Sequence, residues 1–471
     1  MDISIKEITD WIGHLVESRG DVPSSFTDLV IELGNAHGSG WLFWPATNPI
    51  WDERNNIAKA KDAGAAAVVV DREWVAQNGS LDLPMIVVDE VPYELLKRAV
   101  AAKRDSFDGE VIAVSGSAGK TTTRELTAAF LRGAGQVHST NENSNSGGGQ
   151  CATLLQASAV ARYIVSEVGV CGPQQMKHSC RILKPTVATL ASIGTAHVGN
   201  FKGDRLLLAK EKAKIFDKLW GEHPFGVVSR EIDYLDLIRQ KSNVPLVEVS
   251  LVDSTAPYFG EICDVVQGRM RIVERKTGEA TELVLGRPGK FMCANALIGF
   301  AIARELGVTP AQCLDGLKTF SVPGSRWRKV CVDGVNFIDD TFNANSASMK
   351  AILDAVKSMP GRVIIVYGDM LELGDLSEEL HREVGRHAAH TLLDEFITFG
   401  PMACRWMAEE YDQVLPHHKA LRALTLDEVR QTLKNVARPG DTVVLKASNA
   451  MNLSDVLDKR AVFDKDCEKC V

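Results

Sequence analysis

The sequence has no long hydrophobic run, and its charged residues are weighted toward acids. No apolar stretch approaches the ~18 residues that a membrane-spanning helix needs, so we expect no membrane association. The net charge is -8, which argues against general nucleic-acid binding because a phosphate backbone requires a basic protein surface. One small anionic ligand in a local positive pocket is still compatible with this charge.

Cysteine is also sparse, with ten residues scattered along the chain. The first residues carry early acids and lack the hydrophobic core of a signal peptide, so we expect a cytoplasmic protein with reduced thiols. Cys467 and Cys470 alone lie close together. They could bind a metal or form a redox pair, but no second pair accompanies them, and ordinary thiols are the simpler interpretation.

Internal repeats, coiled-coil heptads and low-complexity tracts are missing too. The 471 residues exceed one ordinary core and suggest about three domains. Apolar β-rich runs alternate with helical patterns, which is typical of α/β domains with parallel sheets. We place an N-terminal α/β domain at residues 1–107, a central domain at 108–320 and a C-terminal Rossmann-like domain at 321–471. In the first domain the pattern predicts a helix over 57–64 and strands at 65–70 and 85–88.

The first strand of the central domain leads into a glycine-rich turn and then a helix. Residues 111–114 are apolar and β-branched, as in a buried strand, and Leu126 and Ala129 mark the buried face of the helix. Between them stand Gly116, Ser117, Ala118, Gly119, Lys120, Thr121 and Thr122. Backbone N–H groups and the helix dipole favour phosphate at such a helix start. Lys120 can reach the outer phosphates of a nucleotide, and the Thr121 hydroxyl can hold magnesium.

This motif is a shortened P-loop. The common form has a glycine five residues before Gly119, where this chain has Val114. The shorter Gly-x-x-Gly-Lys-Thr-Thr form still stands between a strand and a helix. We therefore expect an ATP site on a P-loop ATPase-type parallel sheet.

Further polar residues follow the P-loop helix. Residues 140–149 include three consecutive glycines and are too polar for a core element, so we expect a flexible loop that wraps an anionic ligand or lies plainly on the surface. Glu167 ends the next predicted strand, at the sheet edge where magnesium would need a ligand. His197 follows a strand at 187–190, and Lys212 lies on a helix with two other lysines. Taken singly, such a histidine and such lysines are more typical of a solvated surface.

The third domain repeats the strand, loop and helix order. Strands are predicted at 336–340, 363–367 and 441–446, and a helix is predicted from about Ala347. The loops gather at the carboxyl ends of the strands, as in a doubly wound sheet.

Several motifs occur together and in order. They are the short P-loop, Ser-Glu-Val-Gly at 166–169, Gly-Thr-Ala-His at 194–197, the downstream Lys212, Asp-Asp-Thr-Phe-Asn-Ala-Asn at 339–345 and Gly-Asp-Met-Leu-Glu-Leu-Gly at 368–374. This set resembles the Mur ligases, and it is most similar to the branch that adds D-alanyl-D-alanine to a UDP-N-acetylmuramoyl tripeptide. The likeness covers the central and C-terminal domains and, more faintly, the N-terminal domain.

The resemblance implies ATP and magnesium as cofactors and a reaction through an acyl phosphate. A substrate carboxylate would attack the ATP γ-phosphate, and a small-molecule amine would then displace phosphate to form an amide. The implied catalytic residues are Lys120, Glu167, His197 and Lys212, and the implied magnesium ligands are Thr121, Glu167, His197 and Lys212, the last matching a lysine that is carbamylated in several members. Nucleotide binding is implied for residues 116–122 together with Asn295, Arg326 and Asp340. Substrate binding is expected at Asn143, Asn145, Ser146, Asn343 and Asn345.

This chain departs from the family pattern at three places. Phe291-Met292 replaces the His-Asn pair that reaches the nucleotide base, although an aromatic ring could stack there instead. Residues 446–449 read Lys-Ala-Ser-Asn where Lys-Gly-Ser-Arg is usual, which removes one cation. The first domain lacks the Asp-Ser-Arg of the UDP-sugar site and carries Trp41 and Trp44 nearby. Those two side chains are either packed in the core, which we favour, or a stacking surface for another substrate.

We predict an ATP-dependent carboxylate–amine ligase. The missing Asp-Ser-Arg favours a paralogue that joins an amino acid or small peptide in a specialised biosynthetic pathway. The alternative is the D-alanyl-D-alanine ligation of peptidoglycan synthesis, favoured by the overall likeness. An alternative of another class is a Mur-like nucleotide-binding protein without catalysis, which the retained Lys120, Glu167 and Lys212 disfavour.

Overall fold

Three large sheets, each built from its own stretch of the chain, organise the protein. The structure, a computed structural model, describes residues 3–12, 17–48, 51–141, 144–321, 324–357, 359–391 and 393–457. Asn143, Cys467 and Cys470 lie outside these ranges, and what is predicted for them stays a prediction. The three-domain α/β fold class is confirmed, while the domain limits near residues 107 and 320 remain our interpretation. None of the helices in this described part is long and apolar enough to cross a membrane.

The N-terminal unit has one five-stranded sheet with helices packed against it and two small two-stranded sheets. Its strands are β1 (Ile3–Ser4), β2 (Glu17–Arg19), β3 (Ser25–Phe26), β4 (Leu29–Val30), β5 (Trp41–Phe43), β6 (Thr47–Asn48), β7 (Trp51–Asp52), β8 (Ala65–Asp71) and β9 (Met85–Val88), and its helices are α1 (Ile5–Ile12), α2 (Ile57–Ala60), α3 (Arg72–Asn78) and α4 (Pro92–Asp105). The order of the large sheet is β2-β9-β8-β5-β4, with β2 antiparallel and the others parallel. The two small sheets are the antiparallel pairs β1–β3 and β6–β7. The two predicted strands at 65–70 and 85–88 are confirmed.

The helix predicted over 57–64 is confirmed only as far as Ala60. The chain then turns, and Gly64 has a φ of +110°. A Cβ at this position would lie 2.5 Å from the carbonyl oxygen of Gly38. The tight turn therefore requires glycine and ends the helix early.

The central unit is a nine-stranded sheet in the order β11-β12-β10-β13-β14-β15-β16-β17-β18. Its strands are β10 (Glu110–Ser115), β11 (Val137–Ser139), β12 (Tyr163–Glu167), β13 (Val187–Leu190), β14 (Phe225–Ser229), β15 (Leu246–Ser250), β16 (Tyr258–Asp264), β17 (Arg269–Glu274) and β18 (Ala280–Val284). Its helices are α5 (Lys120–Arg132), α6 (Gly147–Gln156), α7 (Gln175–Leu183), α8 (Arg205–Ala213), α9 (Leu235–Lys241), α10 (Lys290–Glu305) and α11 (Pro310–Leu317). The strands are parallel up to β16, and β17 and β18 extend the sheet as an antiparallel meander.

The apolar run at 111–114 forms the middle of β10, as predicted. Val111 and Ala113 pack into one core, and Ile112 and Val114 pack into another on the opposite face of the sheet. A strand that is covered on both faces has no solvent-facing position, which explains the absence of polar alternation in this run.

The C-terminal unit is a six-stranded sheet in the order β19-β20-β24-β21-β22-β23, parallel except for the β19–β20 pair. Its strands are β19 (Arg328–Val332), β20 (Val335–Asp339), β21 (Val363–Gly368), β22 (Glu395–Phe399), β23 (Leu421–Ala423) and β24 (Thr442–Lys446), and its helices are α12 (Ser346–Val356), α13 (Ser377–Ala389), α14 (Ala408–Val414) and α15 (Leu426–Val436). The predicted strands and the predicted helix are confirmed. Short 3₁₀ turns lie at Leu33–Asn35, Glu53–Asn56, Val198–Phe201, Lys214–Phe216, Gly374–Leu376, Asn449–Met451 and Leu453–Val456, and a π turn at Ala403–Met407 precedes α14.

The first two units share one hydrophobic core, whereas the C-terminal unit has cores of its own. One continuous cluster of buried side chains runs from Ile3 in the N-terminal unit to Ile238 in the central unit. Arg104, which is buried at the end of α4, donates hydrogen bonds to the carbonyl oxygens of Leu183 and Lys184, each at 2.7 Å. The clusters of the third unit contain no buried residue before Val335. The N-terminal unit is thus fused to the central one, while the third has its own cores and adds only the half-buried Leu376 to the edge of the shared core.

The glycines at 147–149 do not form a loop, so the prediction of a flexible loop is wrong for them. They are the first turn of α6, and Gly148 and Gly149 are buried. Ser146 caps this helix by accepting a hydrogen bond from the Gly149 amide. A Cβ on Gly149 would lie 1.9 Å from the Ser144 carbonyl oxygen, so close backbone packing requires glycine here.

Candidate active site

The P-loop connects β10 to α5 with the geometry that its sequence predicts. Gly119 stands just before the helix in the left-handed region, with a φ of +79°. Ser192, two residues after the end of β13, shapes the loop through two hydrogen bonds of 2.9 Å. Its carbonyl oxygen accepts from the Ser117 amide, and its hydroxyl oxygen accepts from the Ala118 amide. The first amides of α5 have no carbonyl one turn earlier to bond, so they are free to face an anion.

A cavity of about 710 Å³ opens in front of this loop. From the central unit it is lined by the P-loop residues 117–122 and by Asn145, Glu167, Cys171, His197, Phe291, Met292 and Asn295. From the C-terminal unit it is lined by Arg326, Asp340, Phe342, Asn343, Asn345, Glu372 and Lys446, among others. The cavity therefore lies at the carboxyl ends of two parallel sheets, where α/β proteins usually bind ligands.

Two lysines meet beneath the P-loop. The ammonium groups of Lys120 and Lys212 each donate a hydrogen bond to the carbonyl oxygen of Gly116 at 3.2 Å. Lys212 is only 1% exposed, so the prediction that the lysines of this helix lie on a solvated surface is wrong for this side chain. Burial, and secondarily the charge of Lys120, lowers the pKa of Lys212 to about 7. A large fraction of this amine is therefore neutral at physiological pH.

Glu167 lies at the end of β12 and is 2% exposed. Its Oε2 accepts a hydrogen bond from the Thr121 hydroxyl at 2.7 Å, and its Oε1 accepts one from the Asn145 side-chain amide at 2.8 Å. The Arg124 guanidinium lies 3.6 Å from Oε2. The two residues expected to share a magnesium ion are thus adjacent, and Asn145 fixes the orientation of the carboxylate.

His197 joins the central unit to the third unit across the cavity. Its Nδ1 lies 3.1 Å from the Glu372 carboxylate, and its Nε2 lies 3.9 Å from the Cys171 thiol. Burial, followed by the charge of Lys120, lowers the pKa of His197, so the imidazole is mostly neutral at pH 7. The sequence reasoning missed Cys171 and Glu372 as site residues, although Glu372 stands inside the most specific motif of the C-terminal domain.

The C-terminal side of the cavity holds an ion pair that the sequence did not reveal. Asp340 accepts hydrogen bonds from the Trp327 amide at 3.0 Å and from the Lys446 ammonium at 2.5 Å. Lys446 also donates to the carbonyl oxygen of Asn343 at 2.9 Å. The Asp340 carboxylate, which the resemblance implies for nucleotide binding, is therefore already paired. Arg326 stacks on the Phe342 ring at 3.3 Å, and burial lowers its pKa to about 10.

The amide and hydroxyl side chains predicted for substrate binding have local roles as well. The Asn345 side chain caps α12 by accepting the Ser348 amide at 2.9 Å. The Asn343 side chain accepts the Ala344 amide at 2.8 Å. Ser146 caps α6 and does not line the large cavity. Asn145, Asn343 and Asn345 do line it, whereas Asn143 lies outside the described residues.

Asn295 and the apolar residues before it lie beside the P-loop on α10. Asn295 is buried, and a Cβ on Gly119 would lie 2.9 Å from its side-chain oxygen. Phe291 is 43% exposed and lines the cavity with Met292. Trp41 and Trp44, in contrast, are fully buried, and the Trp44 indole donates to the Pro92 carbonyl oxygen. The packing interpretation of these tryptophans is therefore confirmed.

Two models of one family match consecutive parts of the chain. The Mur ligase middle domain matches residues 114–303, and the Mur ligase glutamate ligase domain matches residues 325–449. The UDP-N-acetylmuramoyl-tripeptide–D-alanyl-D-alanine ligase of Bacillus subtilis (strain 168) is 28% identical over 425 residues, covering 88% of this chain and 89% of that protein. The ligase of the same name from Mycobacterium tuberculosis (strain CDC 1551 / Oshkosh) is 29% identical, covering 98% of each chain.

Solved structures show the same fold. MurF from Acinetobacter baumannii has a TM-score of 0.76 at 23% identity, covering 97% of this chain and 98% of that one. MurF from Thermotoga maritima in complex with ADP has a TM-score of 0.71 at 23% identity, covering 91% and 96%. The chain belongs to the Mur ligase family of ATP- and magnesium-dependent, ADP-forming ligases.

Proposed function

We propose that the protein joins a carboxylate to a small peptide amine through an acyl phosphate, and that the large cavity holds this reaction. One observation carries the proposal. The P-loop amides, Lys120, the Thr121–Glu167 pair and His197 face one cavity that the C-terminal unit closes from the other side. A module that only bound nucleotide would have no need for this convergence of metal-ligand side chains and two lysines.

The residues present fit ATP and magnesium. The Ser117 hydroxyl is buried at the mouth of the P-loop without a hydrogen-bond partner, which a phosphate oxygen would supply. No group of three or more His, Cys, Asp and Glu side chains within the described ranges forms a ready-made metal site. Thr121 and Glu167 would therefore hold the ion together with phosphate oxygens, as is usual for magnesium. Bound there, magnesium would supply positive charge between the phosphates.

The first chemical step brings two anions together, and the chain provides cations for it. Lys120 would neutralise the γ-phosphate as the substrate carboxylate attacks it, with ADP as the leaving group. The P-loop amides would bind the β-phosphate at the start of α5. The amine then displaces phosphate and loses a proton as the amide forms. Closure by the C-terminal unit would exclude water that could hydrolyse the acyl phosphate.

Lys212 has the properties that carbamylation requires. Only the neutral amine reacts with carbon dioxide, and the low pKa of Lys212 makes that form abundant at pH 7. We therefore propose that the family resemblance extends to this modification. The added carboxylate would be a further magnesium ligand near His197.

For the adenine base we propose a contact that differs from the family pattern. Phe291 presents an exposed ring to the cavity, and Met292 lines the wall beside it. An adenine can stack on such a ring without a donor at position 292. Asn295 is buried beside Gly119 of the P-loop and lines the same cavity.

The comparisons favour D-alanyl-D-alanine addition to a UDP-N-acetylmuramoyl tripeptide over the specialised paralogue that the sequence alone favoured. The relatives from Bacillus subtilis and Mycobacterium tuberculosis are both named as UDP-N-acetylmuramoyl-tripeptide–D-alanyl-D-alanine ligases, and they match 88% and 98% of this chain. The paralogue remains the second candidate because of one observation. In the segment ahead of Gly40-Trp41-Leu42-Phe43, where the Asp-Ser-Arg of the UDP-sugar site is expected, this chain has Asn35-Ala36-His37, which offers neither the carboxylate nor the guanidinium of that motif.

Phosphate release tests the proposal. Purified protein with ATP and magnesium is offered UDP-N-acetylmuramoyl tripeptide plus D-alanyl-D-alanine, and each substrate is then left out in turn. Release that requires both substrates supports the peptidoglycan reaction. Release only with other acids and amines would support the paralogue, and no release with any pair would overturn the ligase proposal.

A further inference from the structure

Glu32 reaches from the N-terminal unit to the start of α6. Its Oε2 accepts a hydrogen bond from the Ser146 hydroxyl at 2.6 Å, and its Oε1 accepts one from the Gly148 amide at 3.3 Å. Asn35, from the same unit as Glu32, donates to Oε2 at 3.2 Å. A carboxylate at the start of a helix also interacts favourably with the helix dipole.

The glycine at position 148 is what allows this contact. A Cβ at Gly148 would lie 2.7 Å from Glu32 Oε1 and 3.0 Å from its carboxyl carbon. Any larger residue would push the carboxylate away from the helix start. The glycine run thus serves a built-in carboxylate and not a flexible ligand loop.

This contact continues into the candidate active site. Ser146, which Glu32 binds, caps α6 and directly follows Asn145 in the chain. The Asn145 side-chain amide donates a hydrogen bond to Glu167 Oε1 at 2.8 Å, and the main-chain carbonyl oxygen of Asn145 accepts one from the Gly169 amide at 2.8 Å. Glu167 is in turn bonded to Thr121. The path from Glu32 to the proposed magnesium ligand therefore has three short steps.

We propose that Glu32 is a positioning residue that holds Asn145, and through it Glu167, in the orientation that binds magnesium. This rests on the proposed function, in which Glu167 is a magnesium ligand. Burial is the main cause that raises the pKa of Glu32, with the nearby Glu53 carboxylate adding to it. The contacts from Ser146 and Gly148 oppose that shift, so they favour the charged form that the site needs.

The test measures metal affinity directly. Mn²⁺, which replaces magnesium and is visible by electron paramagnetic resonance, is titrated into the full-length protein with saturating ADP. Glu32→Gln keeps the side-chain shape but replaces one carboxylate oxygen with an NH2 group. That group cannot accept from the Gly148 amide or from the Asn35 side-chain amide, so one of these two contacts is lost in either orientation of the glutamine. We expect Mn²⁺ to bind about three- to tenfold more weakly, at or below the usual effect of changing a residue that supports a metal ligand.

Asp28→Asn is the matched control. Asp28 crosses the same interface but bonds Asn141 and the side chain of Gln156, at the far end of α6. Its change removes the same charge without touching Ser146 or Gly148, so Mn²⁺ affinity should stay within about twofold. An equal loss in both variants would mean that Glu32 only holds the interface together, and would overturn the proposal.

A double-mutant cycle tests the route. If Glu32 acts through Asn145, then Glu32→Gln should add little to the loss caused by Asn145→Ala. Additive losses would overturn the route. Unchanged Mn²⁺ affinity in Glu32→Gln, with normal binding in the wild type, would overturn this inference alone. Absence of Mn²⁺ binding in wild-type protein with ADP would instead overturn the proposed function.

Discussion

The central unit has two neighbours, and it meets them in different ways. Toward the N-terminal unit it shares a continuous hydrophobic core, and Arg104 and Glu32 bond across the boundary to backbone groups. Toward the C-terminal unit it leaves a cavity of about 710 Å³. Among the described contacts that cross it are the His197–Glu372 pair and a hydrogen bond from Arg287 to the Arg326 carbonyl oxygen.

The difference separates stability from function. A large buried apolar interface resists relative motion of the two units, so the first interface holds one geometry. A polar cleft can open and close at low cost, which admits ligands and then surrounds them. We therefore expect substitutions at the cleft to lower turnover and substitutions at the fused interface to lower stability.

The largest effect is expected from Lys120→Ala in the cleft. It removes the cation nearest the proposed γ-phosphate, so turnover should fall by about 1000-fold or more. Steady-state phosphate release measures this. The exposed Lys210→Ala on α8 is the control and should retain normal turnover. Near-normal turnover in Lys120→Ala would refute the site assignment.

Glu167→Ala should reduce turnover by about 100-fold at ordinary magnesium concentrations. A metal ion supplies several kcal/mol to such a transition state, and this change removes its proposed carboxylate ligand. The loss should be partly reversed at high magnesium. Turnover that is unaffected, or a loss that magnesium never relieves, would contradict a ligand role.

Arg104→Met should act on stability at the fused interface. It leaves the Leu183 and Lys184 carbonyl oxygens without their buried donor, which costs about 2–4 kcal/mol. Thermal unfolding should therefore begin at lower temperature, while turnover per folded molecule stays normal. Arg98→Met, on the exposed side of the same helix, is the control. Loss of turnover without loss of stability would break the proposed contrast between the interfaces.

Lys212→Met should reveal how much stability the protein loses by burying this amine beneath the P-loop. The folded-state pKa of Lys212 is about 7, below its usual value near 10.4, so the folded protein binds fewer protons between these values. Stability should therefore rise with pH by about 1 kcal/mol per pH unit from pH 8 to 9 in the wild type relative to the variant. The melting temperatures of the two proteins, measured without bicarbonate, should converge as pH rises. A constant gap would show that the amine is not titrating in this range.

The smallest effect on stability is expected from Glu372→Gln. Its side chain is 72% exposed, and exposed ion pairs contribute about 0–1 kcal/mol. Its place across the cleft predicts instead a few-fold change in KM for ATP. Glu379→Gln, an exposed acid on α13, serves as the control. A melting temperature lowered as much as by Arg104→Met would mean that the cleft is not the weaker interface.

Local patterns in the sequence determined the parts of the protein that depend on neighbouring residues. The strand, glycine turn and helix around Lys120, the acid that ends β12, and the strand-loop order of the C-terminal unit all follow from propensity and periodicity. Residue types at fixed spacing also sufficed to indicate the Mur ligase resemblance. The placement of these motifs at one edge of parallel sheets follows from general rules of topology.

The tertiary structure alone decided the contacts between distant segments. Glu32 and Ser146 are 114 residues apart, and Asp340 and Lys446 are 106 apart. No local pattern encodes such pairs, because burial and charge pairing depend on how whole units pack. The same cause explains why the glycines at 147–149 form a helix start instead of a loop. It also explains why Lys212 is buried although the pattern of its helix predicted a solvated face. Sequence determined the chemistry available to the protein, and packing decided which of those groups meet.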